Sequence, residues 1–388
     1  MSRRAAIIVL DGLGIGPAAD TDAYGDAGSH TLGNVARAVG GLALPHLEAL
    51  GLGCCAPLAG VACVDRPRAA WGVAEPTGAG KDSITGHWEL CGLVIGVPFP
   101  TYPHGFPDEV LAAFSERTGR GVLCNMPASG TQVLADFGEE HRRTGKWIVY
   151  TSADSVFQVA AHEETVPLEE LHRACEIARQ LLMGEHVVSR VIARPFAGAP
   201  GDYHRTPHRK DFSLEPVDTT LLDVLADAKV PRVGIGKVDD LFAGRNITSE
   251  HTPTNRDAYR LIERALDELE TGFVFVNVIE FDQTWGHRND VAGFHEGLKE
   301  LDAWVPRLLG RLREDDLVIL TADHGNDPTT PSTDHSREMV PVLVLGPQVQ
   351  PAALGVRRTF ADLGQTVADY FGVTQLAAGT SFLGEVWA

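Results

Sequence analysis

Three absences narrow this 388-residue chain before any motif is read. No apolar run reaches about 18 residues, so no transmembrane helix is expected, and the stretch between Arg4 and Asp11 is too brief for a signal peptide. The six cysteines, Cys54, Cys55, Cys63, Cys91, Cys124 and Cys175, form no C-x-x-C pair and no zinc or iron–sulfur spacing, which predicts reduced core thiols. No basic block offsets the net charge of −19, and this disfavours nucleic acid and anionic membrane surfaces as partners. Internal repeats and low-complexity tracts are also missing. A cytoplasmic protein is the expectation, with the oligomeric state left open.

What is present is an ordinary globular composition, 44% hydrophobic, enough for a large core and, at this length, two domains. Three apolar runs read as buried strands: Ala6 to Leu10, Phe273 to Phe281, and Leu317 to Thr321. Each is followed at once or nearly so by an aspartate, respectively Asp11, Asp282 and Asp323. Strands of one parallel sheet share a direction, so the three carboxylates are expected at the rim where α/β sheets bind ligands. Gathered carboxylates repel unless cations lie between them. His287, His324 and His335 complete a set of donors sufficient for two metal sites with open positions. Singly, each residue passes for a helix cap or a surface histidine; together they point to metal chemistry.

Helix and strand patterns alternate after Pro216, which argues for crossover helices on a mostly parallel sheet. Pro98, Pro100, Pro103 and Pro107 mark a stiff boundary, and the segment beyond mixes short strands with helices. Since Asp11 must reach the same rim as Asp282 and Asp323, segments 1–97 and 217–388 form one α/β core, and 98–216 is an inserted α+β cap. The loop Gly12-Leu13-Gly14-Ile15-Gly16-Pro17 lacks the helix start that a dinucleotide fingerprint needs.

A nucleophile is sought in Gly78-Ala79-Gly80-Lys81-Asp82-Ser83-Ile84-Thr85-Gly86-His87-Trp88-Glu89. Its glycines allow close approach of a ligand, and a helix start would offer free amides to a phosphate. A hydroxyl beside a cation ionises more easily, but composition leaves Ser83 and Thr85 both open. The glycine spacing excludes a P-loop. Between His186 and Lys210 only Asp202 is acidic, against Arg190, Arg194, Arg205, Arg209 and Lys210. Arginine forks suit phosphate oxygens, and Arg194 and Arg209, with Lys237 at a strand end, are the expected grip on a phosphate.

Taken with Leu10-Asp11-Gly12-Leu13-Gly14-Ile15-Gly16, Thr31-Leu32-Gly33-Asn34, Tyr150 to Gln158, Val191 to Phe196, Gly286 to Gly293, Thr321 to Gly325 and Ser332-Thr333-Asp334-His335, the Thr-Gly-His-Trp-Glu stretch resembles the phosphopentomutase family of the alkaline phosphatase superfamily. The resemblance spans most of the chain. It implies an alkaline-phosphatase-like core with a cap, two Mn²⁺ ions, and a phosphorylated threonine, which selects Thr85. It assigns Asp11, Asp323 and His324 to one metal, Asp282, His287 and His335 to the other, and Asp154 to sugar hydroxyls. It also implies interconversion of the 1- and 5-phosphates of ribose or deoxyribose, primed by glucose 1,6-bisphosphate or ribose 1,5-bisphosphate. Gly12, Asn34, Ile84 and Asn326 depart from the family pattern at positions that tune rather than bind. Competing readings are a phosphatase, phosphodiesterase or cofactor-independent phosphoglycerate mutase of the same superfamily, and a sugar-phosphate sensor without catalysis.

Overall fold

In the computed structural model, which describes residues 3–152 and 155–387, the Arg4–Leu10 strand lies at the centre of an eight-stranded sheet. All seven of its residues are buried, which is why it reads as an unbroken apolar run rather than an alternating one. It pairs in parallel with Gly272–Val278 on one side and Asp316–Thr321 on the other. Leu10 stands opposite Val278, and Val9 opposite Thr321. This register brings the segments after all three strands to one rim.

Outward from Gly272–Val278 come Arg232–Ile235 and Ser249–Glu250, both parallel. On the other flank Val340–Leu345 and Ala70–Ala74 run antiparallel to their predecessors, and Ala353–Arg357 closes the edge parallel to Ala70–Ala74. The sheet is therefore mostly parallel, with helices across its faces. The amphipathic Asn255–Glu268 helix starts where Thr254 accepts a hydrogen bond from the Asp257 amide, and it buries Ala258, Ile262, Ala265 and Leu266. Helix Val291–Leu309 is capped in the same way by Asp290.

The rim opposite the aspartates is closed by charge. Arg4 is 1% exposed, donates to Asp316 through Nε at 2.8 Å and through a second nitrogen, and also reaches the Leu266 carbonyl.

Two features differ from the sequence expectation. The strand beginning at Gly272 ends at Val278, and Phe281–Trp285 winds into a wide, π-type helical turn carrying Asp282. Such turns recur at functional sites because the extra residue re-aims a side chain. The six cysteines are also not all thiols: Cys54 and Cys63 form a disulfide, since the short helix Leu52–Cys55 and the following turn bring their Cα atoms to 4.3 Å. Cys91 and Cys175 are buried thiols, as expected, and burial pushes the Cys55 thiol up to about 12.

The chain divides into two compact units, 1–97 with 216–388, and 98–215. The second has its own sheet, in the order Val122–Pro127, Trp147–Thr151, Val156–His162, Arg190–Ala197 and His204–Arg205, with Lys210–Ser213 also paired to Arg190–Ala197. Helices Asp108–Thr118, Gly130–Thr144 and Leu168–Leu181 complete this unit. Among the described residues, no helix is long and apolar enough to cross a membrane.

Candidate active site

The rim gathers its donors into two overlapping clusters. Ligand atoms of Asp282, His287 and His335 lie within 4.8 Å of one another, as do those of Asp11, Asp282 and His324. Asp282 joins the two, with Oδ2 3.3 Å from His287 Nε2 and Oδ1 3.2 Å from His335 Nε2. His324 Nε2 stands 3.4 Å from both Asp11 Oδ1 and Asp323 Oδ2. The six residues expected to bind metal are thus neighbours, and Asp282 also clusters with Asp11 and His324.

The electrostatics show what this crowding does. Burial, followed by the charges of Asp323 and Asp282, pushes the Asp11 carboxyl up. Burial also opposes ionisation of Asp282, yet His335 and His287 hold it well below the usual range. Asp323 is depressed against its burial by His324 and His87. His324 is buried too, and Asp323 and Asp11 hold its imidazole well above the usual value.

A surrounding layer of polar side chains orients these groups. Asn277 donates to Asp11 at 3.0 Å, Asn326 to Asp282 at 2.7 Å, and the Gly12 amide to Asp323 at 3.2 Å. Gly12 adopts φ +77°, and a Cβ there would meet Asn326 and Asp282 at 3.0 and 3.2 Å, so the turn beneath the site demands glycine. Asp323 Oδ2, Asn277 Oδ1 and Asn326 Oδ1 are buried without a hydrogen-bond partner among the described residues. An orphaned carboxylate oxygen on Asp323 beside the His324 nitrogen, with no thiolate, fits hard or borderline divalent cations.

Each residue of the Thr-Gly-His-Trp-Glu stretch has a visible task in the helix Ser83–Leu90. A Cβ at Gly86 would stand 2.4 Å from the Asp323 carbonyl, so only glycine lets the helix pack there. His87 Nδ1 lies 3.1 Å from Asp323 Oδ2 and makes its hydrogen bond to the Ser83 carbonyl at 2.9 Å. Trp88 is fully buried and donates to the Leu241 carbonyl. Glu89 accepts from the amides of Thr77, Gly78 and Phe360 and from the Thr359 hydroxyl.

The two hydroxyls of this helix face different partners. Thr85 lines a cleft with Asp323 and His324, but its Oγ1 donates to Asp82, whose Oδ2 is 2.8 Å away. Ser83 Oγ is the hydroxyl lying 3.1 Å from His324 Nε2 and 3.4 Å from Asp11 Oδ1. Thr85 Oγ1 thus bonds within its own helix cap, and Ser83 Oγ is the hydroxyl nearer the carboxylates.

Sequence reading passed over several residues here. Arg337 is buried and ties Asp20, at 2.9 Å, to the carbonyls of Gly78 and Gly80, both at 2.6 Å. Glu338 accepts from the Thr31 and Ser336 hydroxyls and from the Thr31 and Gly16 amides, and burial pushes it up to about 7. Asn277 had a signal: a lone amide in an otherwise apolar strand with no exposure.

Of the expected phosphate grips, Lys237 donates to Gln283, next to Asp282. In the second unit, Arg194 donates to Gln158 at 3.0 Å, and burial, with Arg209 nearby, lowers it to about 10. Arg209 grips Asp211 with both arms of its fork at 2.7 Å. Asp154 lies outside the described residues.

Comparison with known proteins sets this chain in a family. The Metalloenzyme superfamily model matches residues 3–375. A phosphopentomutase of Anaeromyxobacter sp. (strain K) is 55% identical over 388 residues, covering 100% of both chains. Another, from Dictyoglomus thermophilum, is 52% identical over 99% of this chain and 98% of its own. The chain belongs to the phosphopentomutase family. As a member it is an enzyme of the phosphotransferase-isomerase type and of a metalloenzyme superfamily. Among solved structures, a Pyrococcus horikoshii protein matches 98% of the chain and 100% of its own at a TM-score of 0.51 with 14% identity. Leishmania mexicana phosphoglycerate mutase does so over 98% of the chain and 97% of its own, at 0.50 and 14%. These neighbours share the alkaline-phosphatase-like α/β fold.

Proposed function

We propose that this member of the phosphopentomutase family interconverts the 1-phosphate and 5-phosphate of ribose or deoxyribose through a phosphothreonine and a pentose bisphosphate. The observation carrying this reading is full-length identity above one half to proteins of that name. Phosphoryl transfer requires mainly positioning and neutralisation of charge. Asp11, Asp323 and His324 would hold one divalent cation and Asp282, His287 and His335 the other, with Mn²⁺ the proposed metal. When bound, such ions supply positive charge to the oxygens exchanged in the transfer.

The chain's own residues position the rest. Thr85 is the proposed carrier of the phosphoryl group, with Gly80 leaving it room, since a Cβ there would stand 2.5 Å from Oγ1. Segment 98–216 is proposed as the substrate-binding cap. Its Arg194 and Arg209, with Asp154 for the sugar hydroxyls and Lys237 from the core, would grip the end of the substrate that is not reacting. Arg209 must exchange its Asp211 partner for phosphate to do so. Glucose 1,6-bisphosphate or ribose 1,5-bisphosphate would prime Thr85. The water-soluble substrates proposed accord with a cytoplasmic enzyme, although the Cys54–Cys63 bridge is unusual in a reducing compartment.

Incubation with ribose 1-phosphate, Mn²⁺ and a trace of bisphosphate should give ribose 5-phosphate without free phosphate. Release of inorganic phosphate instead would assign a phosphatase. Thr85→Ala should form no phosphoenzyme and lose about 10⁴-fold or more in turnover, as covalent nucleophiles do.

A further inference from the structure

Asp82 uses its two carboxylate oxygens for different purposes. Oδ1 caps the Ser83–Leu90 helix by accepting from the Ile84 and Thr85 amides at 3.0 and 3.1 Å. Oδ2 accepts from Thr85 Oγ1 at 2.8 Å. Capping requires only the first. The second is within proton-transfer reach of the hydroxyl proposed to carry phosphate. The other acceptor of that hydroxyl, the Asp82 carbonyl at 3.1 Å, cannot hold a proton at neutral pH.

The segment that leads into Asp82 is anchored at three points. Arg337 holds the Gly78 and Gly80 carbonyls, and Lys81 is tied to Asp26 at 2.9 Å. A base on a tethered loop keeps its aim through a cycle in which the sugar must turn.

We propose that Asp82 is a catalytic residue, the acceptor and later the donor of the Thr85 proton; the inference rests on Thr85 being the nucleophile. When Thr85 Oγ1 attacks a phosphorus of the bisphosphate, the Oγ1–P bond forms and the sugar O–P bond breaks. The Oγ1 proton passes to Asp82 Oδ2, and the departing sugar oxygen takes a proton from water. In the return step the P–Oγ1 bond breaks as the sugar hydroxyl bonds to phosphorus and releases its proton to water. Asp82 then gives its proton back to Oγ1, so each cycle leaves it as it began.

Asp82→Asn separates this role from capping, because asparagine caps a helix as well as aspartate but cannot accept the proton. The full chain with Mn²⁺, ribose 1-phosphate and a priming bisphosphate should keep its Tm and KM while kcat and the rate of phosphoenzyme formation fall about 10²-fold or more. Asp82→Ser, a second capping side chain without a carboxylate, should behave alike, and Asp82→Glu should recover part of the rate. Wild-type kcat in a folded Asn or Ser variant overturns the role of Asp82. Phosphopeptide mapping of the wild type isolates the other failure: phosphate on Ser83 removes the Thr85 reading and this inference with it, whereas phosphate on Thr85 leaves the Asp82 variants decisive.

Discussion

The two ends of the central strands bury charge in opposite ways. Where the strands begin, Arg4 and Asp316 are both nearly inaccessible and matched one to one, with the arginine's other donors on the Leu266 and Leu269 carbonyls. Where they end, Asp11, Asp282 and Asp323 crowd together, and burial with mutual repulsion pushes Asp11 up. A matched buried pair serves the fold. Carboxylates crowded together, offset by imidazoles and held by neighbouring amides, are strain kept for a ligand of positive charge.

Removing charge at the two ends should therefore have opposite consequences. Asp11→Asn keeps an acceptor for Asn277 and relieves repulsion. Its turnover should fall by about 10³-fold or more, while its denaturation midpoint in EDTA stays level or rises. A clear loss of stability in EDTA would mean that the rim is as structural as the opposite end.

Arg4→Met leaves Asp316 buried without its partner and should lose about 3–5 kcal/mol in urea unfolding, with kcat of the folded fraction unchanged. Adding Asp316→Leu should restore much of that. If Arg4→Met proves neutral, the matched pair contributes nothing and the contrast fails.

Glu338 gives the comparison a pH axis. Its folded value of about 7 lies above the ordinary 4.5, so between these pH values the folded state holds a proton that the unfolded state does not. Its contribution to stability is complete below about pH 4.5 and declines as pH rises to about 7, by about 3 kcal/mol at 1.36 kcal/mol per unit. Glu338→Gln should flatten that slope in unfolding measured from pH 5 to 8.

The smallest effect is expected at the disulfide. Reducing the Cys54–Cys63 bridge, which closes a separation of nine residues, should cost about 2–3 kcal/mol and leave turnover alone. A drop in kcat on reduction would connect this helix and turn to the rim.

The strands at Arg4–Leu10 and Asp316–Thr321 were legible because burial on both faces writes a continuous apolar run. The helix at Asn255–Glu268 was legible because Thr254 and a one-sided apolar stripe mark it. Asp11 and Asp323 were legible as residues ending such runs. The π-type turn around Asp282 was not, since Ile279 and Phe281 extend the apolar pattern beyond the end of the strand at Val278. Cys54 and Cys63 were misread because pairing depends on a turn geometry that spacing does not encode.

By itself the sequence determined which side chains could do chemistry: three strand-ending carboxylates, three histidines and two hydroxyls near a glycine loop. Only the tertiary structure decided their partners. Asp282 joins both clusters, and Ser83 faces the rim while Asp82 holds Thr85. The physical reason is that composition and periodicity act along the chain, whereas a hydrogen bond needs an angle and a distance of about 3 Å, set by the packing of segments hundreds of residues apart.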